Sequence, residues 1–164
     1  GTSWHSGLIG KYLFEDLALS GGYAYVGKSG AGPFVKMVHN GIEYGMMQAL
    51  AEGFAIMKKS PFTLKLKGIA RLLNRGSVIE SRLVGWLEKG FDEYGEKLEK
   101  VSGVVAHTGE GEWTIRTARE LGIKTPVIED AFRFRVHSKK SPSYAGKILS
   151  MLRNQFGGHR VRDK

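Results

Sequence analysis

The sequence predicts an all-α domain. Apolar residues recur at helical spacing through nearly the whole chain. Gly, Pro and Ser interrupt that pattern where helix termini belong. Only Tyr23-Ala24-Tyr25-Val26 reads as a brief extended piece between glycines. At 164 residues and 41% hydrophobic, the chain is one domain of ordinary size with enough apolar mass for a core.

The elements follow in order. Residues 8 to 18, with Leu8, Tyr12, Leu13 and Leu17, predict a short helix. A long helix runs from about 33 to 58: Pro33 suits its start, Lys58 and Lys59 suit its C-terminus, and Pro61 lies just beyond. Its predicted apolar face is Val35, Val38, Ile42, Met46 and Ala49. Residues 63 to 73 form a second amphipathic stretch, with Leu64, Ile69, Leu72 and Leu73 apolar. Ser77, after Gly76, is the predicted N-cap of a helix running through Leu83, Trp86 and Leu87. The stretch from Phe91 to Leu98 is short and charged. Gly109 to Gly111 opens a further helix with Trp113, Ile115 and Ala118 inward, stopped near Gly122. Thr125-Pro126 starts the helix holding Phe132 to Val136, and residues 142 to 153 make the last one. The tail from Gly157 to Lys164 is basic and glycine-rich, an arm suited to reaching a partner subunit.

The most informative feature lies on the long helix. Lys36, His39, Asn40 and Glu43 sit at i, i+3, i+4 and i+7, the spacing that stacks side chains on one helical face. At 1.5 Å rise per residue, Lys36 and Glu43 lie about 10 Å apart along the axis. A small polar metabolite spanning that length would meet a proton acceptor at one end and a proton donor at the other. A helical histidine is ordinarily structural, and Lys and Glu at i and i+7 are ordinarily two solvated charges. Here Met37, Val38, Ile42, Met46 and Met47 flank the stripe and argue against a purely solvated face.

Gly30-Ala31-Gly32-Pro33-Phe34-Val35-Lys36-Met37-Val38-His39-Asn40-Gly41-Ile42-Glu43-Tyr44-Gly45 closely resembles the active-site helix of decarboxylating 6-phosphogluconate dehydrogenases. Gly76-Ser77-Val78-Ile79, Gly109-Glu110-Gly111-Glu112-Trp113-Thr114 and Arg153-Asn154-Gln155-Phe156-Gly157-Gly158-His159 follow in that family's order, and the second of these resembles the shorter bacterial branch. The resemblance runs from about Tyr23 to Val161. It implies that Lys36 is the general base for the substrate's 3-hydroxyl and that Glu43 protonates the enediol left by decarboxylation. It implies that His39 and Asn40 hold the substrate, that Asn40 also orients the nicotinamide of NAD or NADP, and that Tyr44 and Arg135 bind the phosphate. Arg153 and His159 match residues that reach into the neighbouring subunit's site, so the resemblance implies a homodimer. The chemistry suits the residue types: Arg matches phosphate with a planar fork of donors, a basic Lys works best with a lowered pKa, and an acidic Glu with a raised one. Two positions depart from the family pattern. Pro33 stands where a histidine is usual, and Thr108 falls where some branches place a phosphate-binding lysine.

A dinucleotide fingerprint is missing. Gly27-Lys28-Ser29-Gly30-Ala31-Gly32 has the wrong spacing, and only about 35 residues precede the catalytic helix. The chain opens Gly1-Thr2-Ser3 without Met and reads as a piece of a longer protein. Gly-Thr-Ser echoes the start of a family substrate loop, but Trp4-His5 breaks the pattern. The expected organisation is thus a lead-in over residues 1–26, in which a remnant of a cofactor domain could lie, an all-helical catalytic, substrate and dimerisation domain over 27–156, and a basic tail over 157–164.

Composition narrows the classes. Twenty-five basic against 16 acidic residues give a net charge of +9, a field that draws in anions. Zero Cys excludes disulfides and thiolate metal sites, and is compatible with a cytoplasmic enzyme. No run approaches the ~18 apolar residues of a membrane span, and no signal peptide is evident. His5, His107 and His137 offer no pair at metal-ligand spacing, so no metal is expected. Nucleic acid is also not expected as a partner: Lys and Arg are dispersed, without a zinc or ribonucleoprotein motif. Two readings compete. One is the 6-phosphogluconate-binding catalytic domain of a dehydrogenase, inactive without a cofactor domain. The alternative is a catalytically incompetent helical module that binds a sugar phosphate or dimerises.

Overall fold

The computed structural model describes residues 14–161; the start of the expected 8–18 helix, the Gly1-Thr2-Ser3-Trp4-His5 stretch and the tail beyond Val161 lie outside them. Among the described residues the secondary structure is helical, without a strand, and residues 22–26 carry no regular structure. The helices are α1 (Ala31–Lys59), α2 (Leu66–Leu73), α3 (Arg82–Tyr94), α4 (Glu110–Glu120), α5 (Pro126–His137) and α6 (Tyr144–Gly157), preceded by a helical turn at 14–17. The chain divides into two compact units, Gly1–Lys36 and Met37–Lys164, with the division falling inside α1. In the first unit Phe14 stacks on Tyr23 and the Tyr23 hydroxyl donates to Glu15 Oε1 at 2.8 Å.

α1 has the predicted length, but its buried face is not the predicted one. Ile42 is 53% and Met46 47% exposed, and Val35 and Ala49 are also exposed. The buried positions are Asn40, Gly41, Tyr44, Gly45, Met47, Gln48, Ala51 and Phe54. The physical reason is close approach. A Cβ at Gly41 would lie 2.6 Å from Thr114 Cγ2 on α4, and one at Gly45 would lie 3.1 Å from Val127 Cγ1 on α5. Two glycines let neighbouring helices seat against α1, and that contact outweighs the apolar stripe beside it.

α2 and α3 pack as a pair. Leu66 and Ala70 of α2 are buried, whereas the expected Leu72 is exposed. An ion pair joins Lys67 to Asp92, and Arg71 Nε meets Glu88 Oε1 at 2.7 Å. The cap of α3 is Ser81, whose hydroxyl accepts from Val84 N at 3.3 Å. Ser77 instead donates to Leu73 O, at the end of α2. The helix then continues through the charged stretch to Tyr94, ended by Gly95 at φ +70°.

α4 starts after Gly109 in the left-handed region, with Glu110 and Glu112 favourably placed in its first turn. Ile115 and Ala118 are buried as expected, but Trp113 is 52% exposed. α5 begins at Pro126 after Thr125, as read. α6 is capped by Ser143, which accepts from Gly146 N at 3.1 Å, and is stopped by Gly158. Phe91, Leu87 and Leu83 of α3 share one core with Ile148, Met151 and Leu152 of α6. Phe54 of α1 joins that core, its ring 5.7 Å from that of Phe91. No helix among the described residues is long and apolar enough to cross a membrane.

Candidate functional site

α1 supplies His39, Asn40, Glu43 and Tyr44. Asn40 is buried and its Oδ1 lies 3.2 Å from His39 Nδ1, so the two side chains hold one another when that nitrogen carries the proton. Lys36 is an exposed position of the same helix and closes the first compact unit.

One turn on, the Tyr44 ring is buried with the Arg135 guanidinium 3.3 Å from its centroid. The glycine-rich start of α4 makes that stack feasible, because a Cβ at Gly111 would lie 2.6 Å from Tyr44 Cε2. Thr114 fastens α4 to α1 by donating to Met37 O at 2.8 Å. Arg135 comes from the last turn of α5 and is only 1% exposed. One of its terminal nitrogens lies 3.7 Å from Met47 Sδ, and its Nε is buried without a hydrogen-bond partner. Burial pushes the guanidinium down to about 10; Arg153 adds to that fall, while Tyr44 and Glu43 oppose it.

Arg153, on α6, is 7% exposed. Burial lowers its pKa, against the pull of Tyr44, Glu43 and Glu110. His159 follows the helix stop. Gly158, at φ +62°, turns the chain, Asn154 Nδ2 donates to His159 O at 2.9 Å, and the imidazole lies over Gly157. Burial lowers the His159 pKa, as do Arg153 and Arg135, with Glu110 and Glu43 opposing. Glu43, Tyr44, Arg135, Arg153 and His159 therefore share one electrostatic neighbourhood, drawn from α1, α5 and α6. Arg153 and His159 lie in their own chain's cluster. Glu110 joins them, accepting at 3.4 Å from the Thr108 hydroxyl. Sequence reasoning missed Glu110 as a site residue, although it sits within the Gly-Glu-Gly motif; a carboxylate acting on Arg153 and His159 becomes visible only once α4 and α6 are docked.

The site opens on two cavities. One, of about 530 Å³, is lined by His39, Glu43, Ile42 and Met46 on one side and by Trp86 and Phe156 on the other. Those two rings meet at 5.3 Å with their planes tilted by 39°, and the Arg82 guanidinium lies over Trp86. Phe156 packs against the core and also walls the cavity. The second, of about 300 Å³, reaches Arg153 and His159 but neither Glu43 nor His39. Tyr44 and Arg135 line neither cavity. Among the described residues no group of three or more His, Asp or Glu side chains is arranged to hold a metal ion.

Residues 32–154 match the family model for the 6-phosphogluconate dehydrogenase C-terminal domain. The chain is 44% identical to YqeC of Bacillus subtilis (strain 168) over 152 residues, 93% of this chain and 51% of that protein. It is 37% identical over 143 residues to a protein of Haloferax volcanii named as an NAD(+)-dependent, decarboxylating 6-phosphogluconate dehydrogenase, covering 87% of this chain and 48% of that one. A decarboxylating 6-phosphogluconate dehydrogenase of Lactococcus lactis subsp. cremoris is 35% identical over 144 residues, 82% of this chain and 30% of the relative. The chain thus spans about half the length, or less, of these relatives.

Proposed function

The chain belongs to the 6-phosphogluconate dehydrogenase family, matching its C-terminal domain, and from that premise we propose that it is the substrate-binding and catalytic domain for oxidative decarboxylation of 6-phosphogluconate to ribulose 5-phosphate. The observation that carries the reading is the cluster of Tyr44, Arg135 and Arg153 beside Glu43, two buried cations next to a helix that also bears Lys36, His39 and Asn40. Buried cations without a carboxylate at hydrogen-bond distance are costly, and a dianionic phosphate ester offsets that cost.

In this proposal Lys36 takes the proton of the substrate's 3-hydroxyl, and Glu43, seven residues on, delivers a proton to the enediol that follows loss of carbon dioxide. His39 and Asn40, already paired, hold the sugar hydroxyls, and the buried Asn40 carboxamide fits the nicotinamide edge of the cofactor. NAD or NADP, when bound, supplies a hydride acceptor. The rest of the dinucleotide has no seat among the described residues, since residues 27–30 are bends and turns leading straight into α1. A homodimer is part of the proposal, supported by the exposed Ile42 and Met46. His159 would serve a neighbour only if the tail left its bond to Asn154. A cytoplasmic setting fits a cysteine-free chain.

Calorimetric titration with 6-phosphogluconate tests the reading. Saturable binding, lost in Arg153→Ala and at least about tenfold weaker for gluconate, is expected. Equal affinity for gluconate and 6-phosphogluconate would overturn it. Micromolar sugar-phosphate binding without turnover after a dinucleotide domain is joined would favour the incompetent binding module.

A further inference from the structure

Gly111, Thr114 and Thr117 recur every three residues along α4 and so share one face of it. That face meets α1 in the reverse order, within one compact unit. A Cβ at Gly111 would lie 2.6 Å from Tyr44 Cε2, one at Gly41 would lie 2.6 Å from Thr114 Cγ2, and Thr117 Oγ1 lies 3.6 Å from Met37 Sδ. Thr114 sits at the centre of this seam, 4% exposed, and lines neither cavity beside the site. A threonine inside a helix can bond back to the carbonyl four residues before it. Glu110 O is in reach for that at 3.2 Å, yet the shorter contact, 2.8 Å, is to Met37 O on α1. A hydroxyl has one proton to give, so the bond between the helices is the favoured one.

That bond falls on a particular turn. Met37 and Gly41 are the two ends of one turn of α1, and the two residues before Gly41 are His39 and Asn40. Inside α1 the Met37 carbonyl already has its helical partner, so Thr114 adds a second donor to an acceptor that is satisfied without it. Removing the hydroxyl orphans nothing and costs the fold little. What the hydroxyl adds is place, because the turn cannot slide or rotate against α4 without breaking a short, directional contact. Gly41 makes the contact possible, since a Cβ there would lie 3.0 Å from Thr114 Oγ1 as well as against its methyl. The turn held in this way carries the His39 Nδ1–Asn40 Oδ1 contact of 3.2 Å.

We propose that Thr114 is a positioning residue for His39 and Asn40: it does not touch the ligand, but its hydroxyl fixes the turn of α1 from which both side chains reach it. The role rests on the dehydrogenase reading only for naming that ligand as 6-phosphogluconate. It gives the Gly-Glu-Gly-Glu-Trp-Thr segment a part in the site beyond packing, with Gly111 seating Tyr44 and Thr114 setting the turn before it.

The chain is compared as wild type, Thr114→Ser and Thr114→Ala. Both variants lose the methyl that faces Gly41, and only Ser keeps the hydroxyl, so the difference between them reads the bond alone. Alanine is the best helix former and serine a fair one, so circular dichroism should show α4 intact in both. Histidine ring signals are followed by NMR in the ligand-free chain, with His39→Gln identifying those of His39. They should match wild type in Thr114→Ser and shift in Thr114→Ala, where the His39–Asn40 contact loosens. Calorimetric titration with 6-phosphogluconate should find Thr114→Ser within about twofold of wild type and Thr114→Ala about tenfold weaker, the loss of one to two neutral hydrogen bonds. His39 signals unchanged in Thr114→Ala overturn the proposal. Signals shifted equally in both variants also overturn it, because packing against Gly41 would then be the whole role. If the signals behave as expected but wild type does not bind 6-phosphogluconate, the positioning role stands and the dehydrogenase reading falls. If wild type binds 6-phosphogluconate and Thr114→Ala binds it equally well, the positioning role falls and the dehydrogenase reading stands.

Discussion

Arg135→Met should leave the fold as stable as wild type or make it more stable, while weakening the response to phosphorylated ligand. Burial drops the Arg135 pKa from its ordinary value, above 12, to about 10. At about 1.4 kcal/mol per pH unit, holding this charge costs the fold roughly 3 kcal/mol. The stack on Tyr44 at 3.3 Å returns about 2 kcal/mol at a desolvated site. Methionine is unbranched, fills the same space beside Met47 and leaves no buried Nε to satisfy. The net expectation is a gain of about 1 kcal/mol, seen as a rise in Tm of about 2–4 °C for a chain of this size. The sign follows from linkage. A cation whose folded pKa lies below its unfolded value destabilises the fold fully below about pH 10 and ceases to do so only as pH rises past the unfolded value. The gain in Arg135→Met should therefore be constant from about pH 6 to 9. Thermal melts followed by circular dichroism, with and without 6-phosphogluconate, read both effects. A variant melting several degrees below wild type would refute the reasoning, because Arg135 would then be a structural anchor rather than a cost borne for binding.

Gly146→Ala should be severely destabilising, since its Cβ would lie 2.1 Å from the Gly103 carbonyl oxygen; a loss of about 3 kcal/mol or more in urea melts is expected. Gly90→Ala, which meets only the flexible Met151 side chain at 2.6 Å, should cost about 1 kcal/mol in the same assay. Gly111→Ala should push the Tyr44 ring off Arg135, lowering 6-phosphogluconate affinity in titrations while costing about 1–3 kcal/mol of stability. By NMR, His159 should titrate below the ordinary histidine range and move upward in Arg153→Ala, because burial and Arg153 both disfavour its charged form. Its unfolded form binds the proton more readily, so its contribution to stability should fall as pH drops through about 6.5.

The helix ends were legible because they are written in local chemistry: Lys58 and Lys59 before Pro61, Thr125-Pro126 opening α5, and Gly109 and Gly122 bracketing α4. The buried face of α1 was not. Hydrophobicity marks Ile42 and Met46, but contact distance decides the packing, and Gly41 and Gly45 become visible as seats only when Thr114 and Val127 arrive from other helices. Ser77 was the expected cap of α3, but it bonds back to the end of α2 and the geometry assigns Ser81. Trp113 read as core from its residue type, yet the inward positions of α4 are Thr114, Ile115 and Ala118. For the site, the stripe on α1 could be read from spacing, whereas Tyr44, Arg135 and Arg153 converge from three helices far apart in sequence. Glu110 and the basic cavity are purely tertiary and have no local signature.

The proposed function places on this domain the residues that catalyse oxidation of 6-phosphogluconate by NAD(P) and its decarboxylation. The first test is to join the domain to a dinucleotide-binding domain and follow NAD(P)H formation and carbon dioxide release from that substrate, with Lys36→Ala beside wild type. Wild type should release both products in step. In Lys36→Ala kcat should fall by about 10²–10⁴-fold, the contribution of a general base, with 6-phosphogluconate affinity largely retained. Turnover by Lys36→Ala close to that of wild type would contradict it.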